Sequence, residues 1–259
     1  MRILFIGDVF ASSGRRIVES RLPALREQHG IDFVICNAEN AADGVGITTR
    51  IAKRLLDCGV DVITLGNHAH RQRDVYPFLN SEQRIIRPAN MSSESPGRGM
   101  VVHPSADGTR VAVVNLMGRL YLEPARSPFD MAPDLVARAR EQADAVIVDF
   151  HAEATSEKVA LAHYLDGRVT AVLGTHTHVQ TNDARVQPGG TAALTDAGMT
   201  GPHDSVIGVK AEQAISRMRT GLPVRFETAQ GGIRIEGALV ECTPDGRATR
   251  CETVRVEAT

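Results

Sequence analysis

The chain has 259 residues, 42% of them hydrophobic and 23% charged, which allows a sizeable core and excludes disorder as a description of the whole. Its 29 Lys and Arg against 31 Asp and Glu leave a net charge of −2, whereas a protein that coats nucleic acid needs a basic surface. Nine histidines stand out beside 4% aromatics and no tryptophan, and imidazole is both a common metal ligand and a proton carrier.

In chain order, residues 3–6 read as a buried strand, too short for the apolar core of a signal peptide and closed by Asp8. A helical pattern follows, with Ile17, Val18, Leu22 and Leu25 along one face. Residues 33–36 form the next strand. A helix then starts at the N-cap Thr48, turns Ile51 and Leu55 inward and stops at Gly59. Residues 60–65, 111–116, 145–150 and 169–173 are further strands, with helices near 134–142 and 156–165 between the later ones. Apolar strands alternating with helices imply an α/β arrangement whose sheet is covered on its faces. Two β-branched runs, 232–240 and 249–256, are split by the turn Pro244-Asp245-Gly246 and predict antiparallel strands. No linker or repeat interrupts the chain, so residues 1–259 are expected to form a single domain. Cys36, Cys58, Cys242 and Cys251 lack C-x-x-C spacing and predict reduced thiols and a cytoplasmic location. No apolar run approaches the roughly 18 residues of a membrane span.

The chemistry lies just past the strands. Their carboxyl ends are followed by Gly7-Asp8, by Asn37-Ala38-Glu39-Asn40, by Gly66-Asn67-His68, by His151-Ala152-Glu153 and by Gly174-Thr175-His176-Thr177-His178. Ligands of open α/β sheets bind at that edge. Carboxylate, amide and imidazole donors suit Mn²⁺, Fe²⁺ or Zn²⁺. Three histidines and two acids exceed what one tetrahedral ion needs, and paired ions about 3.5–4 Å apart activate water and clamp a phosphoryl group. The residues alone therefore point to a binuclear phosphoester hydrolase. Strand alternation would place His176 and His178 on one side, and Gly66 and Gly174 let the backbone approach the ions closely. Arg15 and Arg16 are candidates to face a phosphate, with a solvent-facing helix position as the alternative. Asp196 and His203 are candidates to orient ligands, or else belong to a surface loop. His29, His70, His103 and His163 take the structural reading. Substrate choice is expected in loops 41–47 and 87–99.

This ordered succession resembles the calcineurin-like metallophosphoesterase superfamily, and within it the small bacterial YmdB-like branch. The branch resemblance also rests on His151-Ala152-Glu153-Ala154-Thr155-Ser156-Glu157-Lys158 and Thr195-Asp196-Ala197-Gly198-Met199-Thr200-Gly201. It implies a four-layer α/β/β/α metallophosphoesterase sandwich. It further implies that Asp8, Glu39, Asn40 and His178 hold one ion and that Glu39, Asn67, His151 and His176 hold the other, with Glu39 as the bridge. His68 would be the general acid, and a metal-bridging hydroxide the nucleophile. The branch implies a small-molecule phosphodiester substrate, most specifically a 2′,3′-cyclic nucleotide, with a homo-oligomer as a family-level expectation, while the near-neutral charge and short apolar runs predict no stable nucleic-acid partner and no membrane. Three positions depart from the wider superfamily: Phe10 stands where a metal-binding histidine is usual, Glu39 replaces the bridging aspartate, and Ala69 follows Gly66-Asn67-His68 in place of an acid. The first site thus has fewer imidazoles, and Fe²⁺ or Mn²⁺ is expected over Zn²⁺. A phosphomonoesterase or ribonuclease with the same metals is the alternative enzyme. A non-catalytic nucleotide-sensing regulatory protein is the alternative outside catalysis, and the complete ligand set argues against it.

Overall fold

The computed structural model describes residues 1–122 and 126–258. The amino-terminal half carries strands β1 (Arg2–Ile6), β2 (Asp8–Val9), β3 (Phe33–Asn37), β4 (Val62–Thr64) and β5 (Ile85–Ile86), with helices α1 (Ala11–His29), α2 (Thr49–Asp57) and α3 (Tyr76–Ser81) between them. Strands β6 (Met100–Pro104), β7 (Arg110–Met117), β8 (Ala145–His151) and β9 (Ala171–Thr175) follow, with α4 (Pro128–Arg140) and α5 (Thr155–Tyr164). The short strands β10 (Arg185–Val186), β11 (Ala192–Leu194) and β12 (Met199–Pro202) precede α6 (Ala211–Thr220) and the long hairpin β13 (Ile233–Cys242) and β14 (Ala248–Glu257).

These strands build two sheets. One runs β2-β12-β13-β1-β3-β4-β5, with β14 also paired to β13, and the other runs β10-β11-β9-β8-β7-β6. Apolar residues on both faces of the central strands explain the stacking, because each pleat alternates between two hydrophobic layers. Ile3, Phe5, Phe33 and Ile35 meet Val113, Ile147 and Leu173 between the sheets. Leu4, Ile6, Val34 and Cys36 pack outward beneath Val18 and Leu22 of α1 and Ile51 and Leu55 of α2. On the far side, Val114, Val146 and Val148 lie beneath Leu135 and Val136 of α4 and Leu161 of α5. The order is helices, sheet, sheet, helices: the expected four-layer α/β/β/α sandwich.

Local signals place several boundaries. Thr48 caps α2 by accepting from the Ile51 amide at 3.3 Å, which satisfies one of the unpaired amides at a helix start. Helix α4 begins earlier than its apolar pattern suggests, because Ser127 accepts from the Asp130 amide and Pro128 occupies the first turn, where its fixed φ favours the helix. Strand β4 is shorter than residues 60–65, since the Val60 amide turns back to the Leu55 carbonyl. The carboxy-terminal hairpin is no appendix. β13 runs antiparallel to β1 with Ile3 opposite Val240, while β3 flanks β1 in parallel on the other side. All four cysteines are free thiols, and no helix among the described residues is long and apolar enough to cross a membrane.

Candidate metal centre

The five motif segments meet where both sheets end. Asp8, Glu39, Asn40, Asn67 and His68 follow strands of the first sheet, whereas His151 closes β8 and His176 and His178 follow β9 in the second. The site is therefore a junction between two sheets rather than the rim of one. Alternation does not align His176 and His178 either. β9 ends at Thr175, and both histidines have left-handed backbones, with φ of 100° and 64°. A turn aims them, not the pleat of a strand.

The donor atoms form a connected cluster. Ligand atoms of Glu39, His151 and His176 all lie within 4.8 Å of one another. Glu39 Oε1 is 3.2 Å from His151 Nε2, Asn67 Oδ1 is 3.0 Å from the same nitrogen, and His176 Nδ1 is 3.0 Å from it. On the other side of Glu39, Asn40 Nδ2 is 3.3 Å from Glu39 Oε1, 3.0 Å from His178 Nε2 and 3.5 Å from Asp8 Oδ1. Asp8 and His178 are 3.8 Å apart, and Asp8 Oδ2 accepts from the His176 amide. Glu39 thus stands between two groups of donors. The amide of Asn40 presents nitrogen to Asp8 and His178 and oxygen to His68 Nδ1, 2.8 Å away. Ligation by its oxygen requires a half-turn of the near-isosteric amide.

The electrostatics fit divalent cations. Asp8 and Glu39 are fully buried, and their ion-pair partners among the described residues are imidazoles. Burial raises the Asp8 carboxyl above its ordinary value despite His178 and His151. Burial acts on Glu39 in the same direction, but His151 and His68 overcome it and hold that carboxyl well below the usual range. Burial together with the neighbouring His151 pushes His176 down to about 3, so its ring is neutral, the form that ligates metal. Buried carboxylates without Lys or Arg need a cation to compensate them, and nitrogen and oxygen donors of this kind hold middle-series divalent ions.

A layer of polar residues that motif reading did not single out lies beneath the cluster. His151 Nδ1 donates to Thr175 Oγ1 at 2.9 Å, and the Thr175 hydroxyl donates to Asp149 Oδ1 at 2.7 Å. Asn37 donates to Asp149 Oδ2 and accepts from the Glu39 amide. Burial pushes Asp149 up to about 6. An acid inside the otherwise apolar run 145–150 was the readable signal.

Asp196 reaches the ligand loop. Buried in the core, it accepts from Thr177 N at 3.2 Å, from Thr177 Oγ1 at 2.8 Å and from buried Lys158 at 2.6 Å. It grips the residue between His176 and His178. His203 joins none of these contacts, donating instead to the Met199 carbonyl. Phe10, at the position of the missing histidine, packs its ring edge-on against His178 and shares a small apolar cluster with Ala11 and Met199.

The two arginine candidates bond to groups outside the donor cluster. Arg15 donates to the Ala41 carbonyl and so ties down loop 41–47, while Arg16 Nη1 donates to Ser12 Oγ on the exposed side of α1. Loop 87–99 is fastened in a similar way. Buried Arg87 donates to the carbonyls of Pro88, Ser92, Ser95 and Pro96.

Gly66 is a close-approach glycine. A Cβ there would lie 2.3 Å from His151 Nε2 and 2.4 Å from Glu39 Oε2, so Gly66→Ala must displace two side chains of the donor cluster at once. A misplacement of about 1 Å at reacting groups costs roughly 100-fold in rate, and a loss of that order is expected together with weaker metal uptake. Wild-type Mn²⁺ affinity in the variant would contradict the placement.

The sequence profile of the YmdB-like protein family matches residues 4–254. The chain is 46% identical over 241 residues to a 2′,3′-cyclic-nucleotide 2′-phosphodiesterase of Bacillus subtilis, covering 93% of this chain and 91% of that one. A hypothetical protein of Thermus thermophilus superposes with a TM-score of 0.93 at 44% identity over the whole of both chains. A crystal structure described as a novel phosphatase of Mycoplasma pneumoniae superposes with a TM-score of 0.91 at 34% identity, over 99% of this chain and 93% of that one. With its sandwich fold and its cluster of acids, amides and imidazoles, the chain belongs to the YmdB-like family of the calcineurin-like metallophosphoesterases.

Proposed function

We propose that this protein is a metal-dependent phosphodiesterase that opens 2′,3′-cyclic nucleotides. The observation that carries the reading is the convergence of Glu39, His151 and His176 donor atoms within 4.8 Å at the junction of the two sheets. The 46% identity to the Bacillus subtilis phosphodiesterase supports the substrate. Asp8, Asn40 and His178 would hold one ion and Asn67, His151 and His176 the other, with Glu39 shared. When bound, two such ions supply the activated water and offset the charge of the phosphoryl oxygens. Fe²⁺ or Mn²⁺ suits the oxygen-rich first site, and the four free thiols suit a reducing cytoplasm.

The protein's own residues handle the leaving group. His68 donates its backbone amide to Glu39 Oε2 at 2.9 Å and turns Nδ1 inward, 3.2 Å from Glu39 Oε1. Nε2 is then the atom that passes a proton to the departing ribose oxygen. As the oxygen of water bonds to phosphorus, the bond from phosphorus to the 2′ oxygen breaks, that oxygen takes the proton from His68, and a nucleoside 3′-phosphate remains. Asp196 and Thr177 keep the His176 and His178 loop in its left-handed shape throughout.

The test supplies Mn²⁺ and compares a 2′,3′-cyclic nucleotide, a 3′,5′-cyclic nucleotide, a phosphomonoester and short RNA. The expected result is fastest turnover of the first, yielding 3′-phosphate. Fastest turnover of the monoester or of RNA would overturn the substrate assignment, and no turnover of any would favour a sensor.

A further inference from the structure

The three imidazoles read as metal ligands each have the outer nitrogen taken by a protein acceptor. His151 Nδ1 has Thr175 Oγ1, His178 Nδ1 has the Ile207 carbonyl at 3.0 Å, and His176 Nε2 has Glu153 Oε2 at 3.0 Å. Ligating histidines usually donate their second N–H to such a group, which fixes both the tautomer and the ring plane. For His151 the acceptor belongs to a buried chain that ends on Asp149. For His176 it is a single half-exposed carboxylate.

From this contact we infer that Glu153 is a positioning residue that sets His176 as a ligand through Nδ1. The inference rests on the metal-centre reading above. An ionised carboxylate only accepts hydrogen bonds, so the shared proton sits on His176 Nε2. Nδ1 is then bare and faces His151 Nε2 at 3.0 Å, inside the donor cluster. The ring's other neighbour is His151, which it meets edge-on with ring centroids 4.7 Å apart. His176 lies beyond the last residue of β9, on left-handed backbone, and is partly exposed. Glu153 comes two residues after His151, in the turn between β8 and α5. One strand end therefore supplies a ligand and also the group that orients a ligand from the neighbouring strand. An ordinary exposed ion pair contributes little, but this contact selects which nitrogen faces the ion.

The test compares the full-length wild type with Glu153→Gln and Glu153→Ala, first stripped of metal and then titrated with Mn²⁺. Proton–nitrogen correlation spectra of the metal-free proteins read the tautomer of His176, which a merely structural surface residue would leave unchanged. The wild type should show the Nε2–H form. Glu153→Gln still offers an amide oxygen and should keep that form and its Mn²⁺ affinity. Glu153→Ala should give mixed tautomers and bind one of two ions about 10–100-fold more weakly, with the other ion unaffected and folding retained. An alanine variant with the Nε2–H form and wild-type affinity for both ions would overturn the assignment. So would a glutamine variant as weak as alanine. Failure of the wild type to take up Mn²⁺ overturns the metal-centre reading itself.

Discussion

His68→Ala should lower turnover by about 10²–10⁴-fold, the usual contribution of a general acid, while both ions stay bound. The separation of the two effects follows from how His68 is held. Its backbone amide, which survives the substitution, donates to Glu39 Oε2 at 2.9 Å and keeps that carboxylate in place. Only the ring is lost, with its contacts from Nδ1 to Asn40 Oδ1 and Glu39 Oε1. Turnover measured at saturating Mn²⁺, beside metal content per chain, reads both quantities. A rate within tenfold of wild type would remove His68 from proton transfer. Loss of an ion would make the ring a ligand instead.

Asp196→Ala has the largest expected effect on stability. It removes the carboxylate that Lys158 Nζ meets at 2.6 Å and leaves a buried ammonium without its partner. Breaking a buried pair in this way costs about 3–5 kcal/mol, which lowers Tm by roughly 6–20 °C in a protein of this size. The amides of Thr177 and Gly198 lose an acceptor as well. Stability and ligand placement separate in the double variant Asp196→Leu with Lys158→Met. Apolar replacement of a whole buried pair is often neutral, so stability should return while metal affinity stays low, because Thr177 remains unheld. A double variant that regains metal affinity as well would show that Asp196 acts on stability alone. Thermal melts and Mn²⁺ titrations decide the matter.

Much of this architecture was legible because its signals are local and repeated. The central strands are apolar on both faces, and the Thr48 cap and the Pro244-Asp245-Gly246 turn mark their elements directly. What escaped was short or non-local. Strands of two to four residues such as β2, β10 and β12 have no room for a period. The place of β13 beside β1 depends on pairing across most of the chain. The two-sheet form came from the motifs of the family, since apolar runs alone fit one covered sheet equally well.

At the site, the residues brought together were the ones that follow strands, because a strand end fixes where the next side chain can go. Glu39, Asn67 and His176 are of that kind, while Asp8 opens β2 and His151 closes β8. The supporting residues were hidden by their chemistry. Asp149 and Lys158 look out of place in apolar surroundings until their partners Thr175 and Asp196 are seen. The sequence around Arg15 carries no record of the Ala41 carbonyl it meets. The pairing of His176 with His178 by strand alternation failed for a related reason: left-handed backbone at non-glycine residues is stabilised by tertiary contacts, here those of Asp196 to Thr177.

A carboxylate shared by two ions makes metal content per chain depend on Glu39. Wild-type protein and Glu39→Gln, each saturated with Mn²⁺ and then freed of excess metal, are compared by elemental analysis alongside a thermal melt. Glu39 lies between the His151–His176 group and the Asn40–His178–Asp8 group, so removing its charge should weaken both sites together. Two ions per wild-type chain and loss of both from a folded variant are expected. One ion in the wild type, or two retained in the variant, would contradict a shared Glu39.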